Sequence, residues 1–126
     1  MPLVTASRWG SPGLTACELC AGDTLRAADR HPGGQLGRLR ALDTAGCARL
    51  ATVECLDVCE EDVLVVRPSP AGRRAGGRPT WFSRLAGDAA TGELRSWLEA
   101  GGPGLAPLPA SLSPLVVPAP GVPVNG

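Results

Sequence analysis

The chain has no lysine, isoleucine or tyrosine, one phenylalanine, one histidine and no long apolar run, and each shortage removes a class of structure or function. Without a stretch of about 18 apolar residues, no membrane-spanning helix is expected. Residues 1–13 lack the basic start and apolar run of a secretory signal, so a cytoplasmic location is the expectation. His31 alone cannot supply the histidine pair of a Rieske centre, nor that of a zinc site built from two cysteines and two histidines. Twelve basic residues, all arginine, balance twelve acids, and a formal net charge of zero implies neither nucleic acid nor an anionic membrane as a general partner. The arginine-only basic set, with heavy use of Ala, Gly, Pro and Leu, speaks of GC-rich coding rather than of activity.

Catalytic machinery is missing as well. No carboxylate pair, nucleophile triad or Walker motif is present. The glycines at 33, 34, 72, 76 and 77 lack the strand-to-helix context of a phosphate loop. The expectation is therefore a protein that binds or carries, not an independent enzyme.

A length of 126 residues fits one domain. Many of its 17 glycines and 13 prolines lie near the ends, which places the packed core at residues 14–102. Residues 1–13 read as a flexible lead-in, although Leu3-Val4 could add an edge strand. Residues 103–126 mix Pro, Ala, Val and Leu without period and read as a flexible tail.

Within the core, Leu14 to Cys17 is a short strand candidate, and Leu36, Leu39 and Leu42 recur at near-helical spacing with Arg38 and Arg40 between them. Ala48 to Cys55 and Val63 to Arg67 are further strands, the second apolar enough to be central and buried on both faces. Pro68 to Gly72 ends it, and Thr80 to Leu85 supplies the second arm of a hairpin. Asp88 is placed to cap a helix carrying Ala90, Leu94, Trp97 and Leu98 on one face, stopped by Gly101-Gly102-Pro103. The order β-α-β-β-β-α is that of a small thioredoxin-like α/β domain.

Five cysteines stand against these absences, four of them in two local pairs, Cys17/Cys20 and Cys55/Cys59. In a reducing compartment, clustered cysteines are more often metal ligands or catalytic thiols than disulfides. If the two strands of the βαβ unit are parallel, the pairs following them lie at the same sheet edge. Thiolates suit zinc, mononuclear iron or an iron-sulfur cluster. Structural zinc and mononuclear iron usually take two tight CxxC knuckles. Cys17-Glu18-Leu19-Cys20 has that form, whereas the wider Cys55-Leu56-Asp57-Val58-Cys59 more readily serves a two-iron cluster. A redox-active CxxC at Cys17/Cys20, a zinc-stabilised binding module and plain buried thiols remain as alternatives. Against the redox-active pair, Glu18 and Asp23 are expected to raise the thiol pKa.

The segment from Cys55-x-x-x-Cys59 through the acidic link, Val63-Leu64-Val65-Val66 and Gly72 to the Trp81-Phe82 arm resembles the thioredoxin-like 2Fe-2S ferredoxins. These are related to the small 2Fe-2S subunit of NADH dehydrogenases, and the likeness is greatest to an actinobacterial branch of 2Fe-2S ferredoxin domain proteins. It spans residues 14–102. The resemblance implies a 2Fe-2S cluster held by Cys17, Cys20, Cys55 and Cys59, one pair per loop. It also implies one-electron exchange with a partner oxidoreductase, and relatives that often form homodimers. In that family the first two cysteines usually stand further apart, and here Cys20 is the only partner available to Cys17.

Other features have more than one reading. Glu54, Asp57, Glu60, Glu61 and Asp62 form either a solvated loop or a collar that steers a basic partner. Arg67, Arg73, Arg74 and Arg78 form either a solvated loop, a docking surface for an acidic partner or a phosphate site. Cys47 and His31 are expected to have no chemical role.

Overall fold

The computed structural model describes residues 10–58 and 60–120. The Leu3-Val4 strand, Cys59 and the end of the tail fall outside them. Among the described residues the elements run β1 (Gly13–Cys17), α1 (Gly34–Thr44), β2 (Arg49–Val53), β3 (Leu64–Arg67), α2 (Pro70–Arg74), β4 (Thr80–Phe82), α3 (Asp88–Glu99) and β5 (Val116–Val117). Short 3-10 turns occur at Arg26–Ala28 and Ser113–Leu115.

The result is a mixed α/β domain on a five-stranded sheet of order β2-β1-β3-β4-β5. The crossover through α1 makes β1 and β2 parallel, and every other neighbouring pair is antiparallel. The apolar run at Val63 to Val66 lies at the middle of the sheet and is buried throughout, as its composition requires.

Strand alternation divides the sheet into two faces with different tasks. Leu14, Ala16, Leu64, Val66 and Phe82 share one face and pack against Leu39 and Leu42 of α1 and Leu94, Trp97 and Leu98 of α3. Phe82 and Trp97 meet edge to face, with ring centroids 6.1 Å apart. The other row carries Thr15, Val65 and Trp81, which are directly opposed across the strands, and Cys17 continues it to the strand end. The helices thus stabilise one face, while Cys17 belongs to the other.

A buried polar network ties both helices to the loop ahead of α1. Gln35, Arg38, Leu39 and Leu42 lie on one stripe of α1, so the two polar side chains go inward with the leucines. Arg38 makes a two-pronged pair with Asp29, at 2.7 and 2.8 Å, and reaches Asp88 Oδ1 at 2.7 Å. Gln35 Nε2 donates to Thr91 Oγ1, while its Oε1 accepts from Arg38 and from the Gly87 N–H.

Three expectations need correction. Asp88 does not cap α3: Gly87 holds that position, and Asp88, in the first turn, turns toward Arg38 instead. The hairpin connection contains a helix, α2, because Ser69 accepts a hydrogen bond from the Gly72 N–H and Pro70 is preset for a first helical position.

The tail from Pro103 to Pro120 is not loose either. Leu112 is 1% exposed, Trp97 Nε1 donates to Ala106 O at 3.0 Å, and β5 pairs with β4. A Cβ at Gly72 would collide with Pro103 O and one at Gly77 would lie 2.6 Å from it, so two glycines admit the incoming backbone. Lack of periodicity did not mean lack of packing. At the other end, Ser11 and Pro12 of the lead-in are buried and Gly13 opens β1.

Two outcomes follow from this packing. Leu112→Ala is expected to destabilise the protein by about 2–5 kcal/mol in denaturant titration, whereas an unpacked tail would give no change. The Arg38 guanidinium, hydrogen-bonded to Asp29, holds that carboxyl below its ordinary value of 3.8. A depressed folded value stabilises above the ordinary pKa and is lost as pH falls through the folded one. Thermal melts of Asp29→Asn should therefore show a flatter acid limb than the parent.

Candidate metal centre

Three chain segments meet at the carboxyl end of β1. Because β1 and β2 are parallel and in register at Cys17 and Val53, the loops that follow them start side by side. Glu18 N–H donates to Val53 O at 2.8 Å and Leu19 N–H to Glu54 O at 3.2 Å. On the other flank, Cys17 N–H donates to Val63 O, just ahead of β3. The two cysteine loops are thus neighbours through backbone pairing.

Asp62 fastens them. Its side chain is buried, and its two carboxylate oxygens accept the Gly22 N–H at 2.7 Å and the Thr24 N–H at 2.9 Å. Its own N–H donates to Cys20 O at 3.1 Å, and its φ of 46° puts it in the left-handed region. Such strain in a non-glycine residue persists where surrounding bonds over-determine it. Asp62 is therefore neither a solvated nor a steering acid, as the collar readings would have it; it closes the loop that carries Cys20.

Backbone N–H groups are directed at two of the three described cysteines of the two pairs, while the Cys17 thiol donates to Glu54 O at 3.5 Å. Cys20 Sγ accepts from Val63 N and Cys55 Sγ from Asp57 N, both at 3.3 Å. Burial pushes the Cys17 thiol up, but hydrogen bonds from the Cys20 thiol and from the N–H groups of Cys20, Leu56 and Leu19 outweigh it and hold Cys17 below the ordinary cysteine range. Cys17 thus lies below the ordinary range, not above it as Glu18 and Asp23 had suggested. Cys20 goes the other way. Burial pushes it up to about 11 despite the Val63 N–H, and the charges of Cys17 and Asp62 add to the rise.

The side chains are gathered only in part. Cys17 and Cys20 are buried with Val63 in a small apolar cluster, against which Leu56, Val58 and Trp81 pack. Cys55 is exposed, and among the described residues no group of three or more Cys, His, Asp or Glu side chains stands together as a metal site. Cys59 lies outside the described residues. The donor set nevertheless fits an iron-sulfur group in its chemistry: soft thiols in adjoining loops, of which Cys20 and Cys55 already accept an N–H hydrogen bond. Cys47 is remote, at the far end of the sheet beside Glu99.

Two groups of residues have roles here that their sequence context did not assign. Asp62 sits directly against the buried strand, a position that a merely solvated acid does not favour, and the loop at Gly22 to Thr24 has N–H groups that need an acceptor. Gln35 and Arg38 were visible as polar residues on the leucine stripe of α1. No helix among the described residues is long and apolar enough to cross a membrane.

The unequal thiols give a pH signature in the metal-free, reduced protein. Ultraviolet thiolate absorbance should show a step below the ordinary cysteine value of 9.0, absent in Cys17→Ser, and another near 11, absent in Cys20→Ser. The raised Cys20 value favours the neutral thiol in the fold, so that contribution to stability is complete below 9.0 and is lost as pH rises toward 11. Coincident titration of both thiols would contradict this.

No protein-family model, curated protein or solved structure matches the chain.

Proposed function

We propose that the protein is a cytoplasmic one-electron carrier that holds a 2Fe-2S cluster at this sheet end and exchanges electrons with a partner oxidoreductase. The observation that carries the reading is the convergence of two cysteine loops, one from each pair, in which Cys20 and Cys55 each accept a backbone N–H hydrogen bond. Hydrogen bonds to cluster sulfurs are among the features that set a cluster's potential. The strand order β2-β1-β3-β4, with a parallel first pair, supports a thioredoxin-like assignment of the domain.

In this reading Cys17 and Cys20 would hold the cluster from one loop and Cys55 and Cys59 from the other. The bound cluster supplies a one-electron couple. The chain's own residues shape it. N–H groups of Leu19, Cys20, Leu56, Asp57 and Val63 favour negative charge on the sulfurs, and Leu56, Val58 and Trp81 keep water from the inner pair. Asp62 fixes the loop geometry on which those hydrogen bonds depend.

A second reading, thiol-disulfide exchange at Cys17 and Cys20, is favoured by the opposite displacement of the two thiol pKa values. The burial of both sulfurs works against it, since a disulfide substrate must reach the attacking thiolate.

Anaerobic reconstitution with ferrous iron and sulfide separates the readings. The cluster predicts equal amounts of bound iron and acid-labile sulfide, visible charge-transfer absorption, and comparable iron loss in Cys20→Ser and Cys55→Ser. Zinc without sulfide would select the zinc-stabilised module. Disulfide reductase activity abolished by Cys17→Ser but indifferent to Cys55→Ser, in a colourless protein, would select the dithiol.

A further inference from the structure

Among the described residues the sheet ends in β2 on one side and in β5 on the other. The two edges are protected unequally. β5 is two residues long and lies between Pro114 and Pro118, so little of it can pair with another strand. β2 is five residues long, and between Arg49 and Glu54 its edge carries only Leu50, Ala51, Thr52 and Val53, with neither proline nor charge to discourage a neighbour.

Backbone direction shows which groups that edge offers. Arg49 N–H donates to Pro12 O and Val53 O accepts from Glu18 N–H, so the odd-numbered residues turn their peptide groups to β1, and Leu50 and Thr52 turn theirs outward. Leu50 N–H is taken by Asp43 Oδ2 at 2.8 Å, and the Glu54 carbonyl turns back to Leu19 N–H at 3.2 Å. Leu50 O, Thr52 N–H, Thr52 O and Glu54 N–H are left without a partner among the described residues.

These four groups are self-complementary. If a second copy is laid against the first, antiparallel about a two-fold axis at Thr52, the two Thr52 residues exchange N–H and C=O, and each Glu54 N–H meets Leu50 O of the other chain. The only positions of that ladder left unused are the Leu50 N–H and Glu54 O already bonded within their own chain. Moving the axis one residue either way leaves Thr52 O without a donor or Thr52 N–H without an acceptor. In the same register Ala51, which is exposed, faces half-buried Val53 of the other copy at the close, non-hydrogen-bonded spacing.

One step further along, Arg49 of one copy comes opposite Cys55 of the other. Arg49 is exposed and has no ion pair among the described residues, and Cys55 is exposed with the exposed acids Glu54 and Asp57 near it in the chain. The second copy thus adds a cation to the open side of the cysteine loop. Like charges oppose the pairing on the helix face, where Glu18, which accepts the Thr52 hydroxyl at 2.7 Å, nears its counterpart across the axis and Glu54 nears Asp43 of the other chain.

We propose that the outer edge of β2 binds a second copy of this chain, antiparallel about Thr52, joining two five-stranded sheets into one and setting Arg49 of each copy against the Cys55 loop of the other. The inference does not rest on the electron-carrier reading. An edge this short buries less than the about 1,200 Å² of a standard interface, so the dimer is weak and reversible.

Sedimentation velocity of the full, reduced, iron-free chain over a dilution series tests it. The expected result is reversible exchange between monomer and dimer, with nothing larger. Thr52→Pro removes the edge donor but leaves residues 51 and 53 bonded to β1, and should abolish the dimer; Ala51→Lys, which keeps the backbone intact, should do the same. Arg49→Glu should weaken the dimer about tenfold, and Glu18→Gln should tighten it. Alkylation of Cys55, followed by peptide mass mapping, should slow as the dimer forms.

A monomer at every concentration overturns the proposal. So does a dimer indifferent to both Thr52→Pro and Ala51→Lys in variants that circular dichroism shows to be folded; if either variant fails to fold, Arg49→Glu and Glu18→Gln must still shift the equilibrium in opposite directions. Open-ended growth would pair β2 with β5 of the next copy and would also overturn it, as would Cys55 alkylation that ignores the dimer.

Discussion

The carboxylate of Asp62 is the contact on which the cysteine end depends. It accepts two backbone N–H groups from the loop after Cys20, while its own N–H returns to the Cys20 carbonyl. A buried carboxylate is costly unless hydrogen-bonded, and here backbone donors supply that compensation. The same donors would otherwise be unpaired in a loop too irregular to satisfy them itself. One side chain thus resolves two deficits. In doing so it fixes the loop that carries Cys17 and Cys20 against the segment that carries Cys55.

This local clamp works because the rest of the fold leaves the cysteine face alone. Both long helices pack on the opposite face, held to each other through the Arg38, Gln35 and Asp29 network. Stability comes chiefly from that side and from the tail, whose Leu112 is part of the main core. The sheet transmits position: a parallel β1–β2 pair brings two loop starts together, and antiparallel β3 returns Val63 to the same edge.

Much of the fold could be read from residue pattern. The run Val63 to Val66 announced a central strand, and the leucine spacing in α1 and the apolar face of α3 announced helices, because burial imposes those periods directly. The tail was opaque for a physical reason. Its packing depends on Leu112, on Trp97 reaching Ala106 O, and on the absence of side chains at Gly72 and Gly77, and none of these produces a period. At the site, the pairing of cysteine loops was legible from topology, but thiol environments were not. Glu18 and Asp23 suggested raised pKa values by their charge, while Cys17 is lowered first by the Cys20 thiol and then by N–H groups that only a structure aims.

The central claim is that these loops enclose a two-iron cluster. Electron paramagnetic resonance of the anaerobically reconstituted, dithionite-reduced protein tests it most directly. The account predicts a low-temperature signal from a single unpaired electron shared by an antiferromagnetically coupled iron pair, present in the parent and lost in Cys17→Ser. A protein that carries no such signal after reconstitution, or whose signal survives replacement of Cys17, would contradict it.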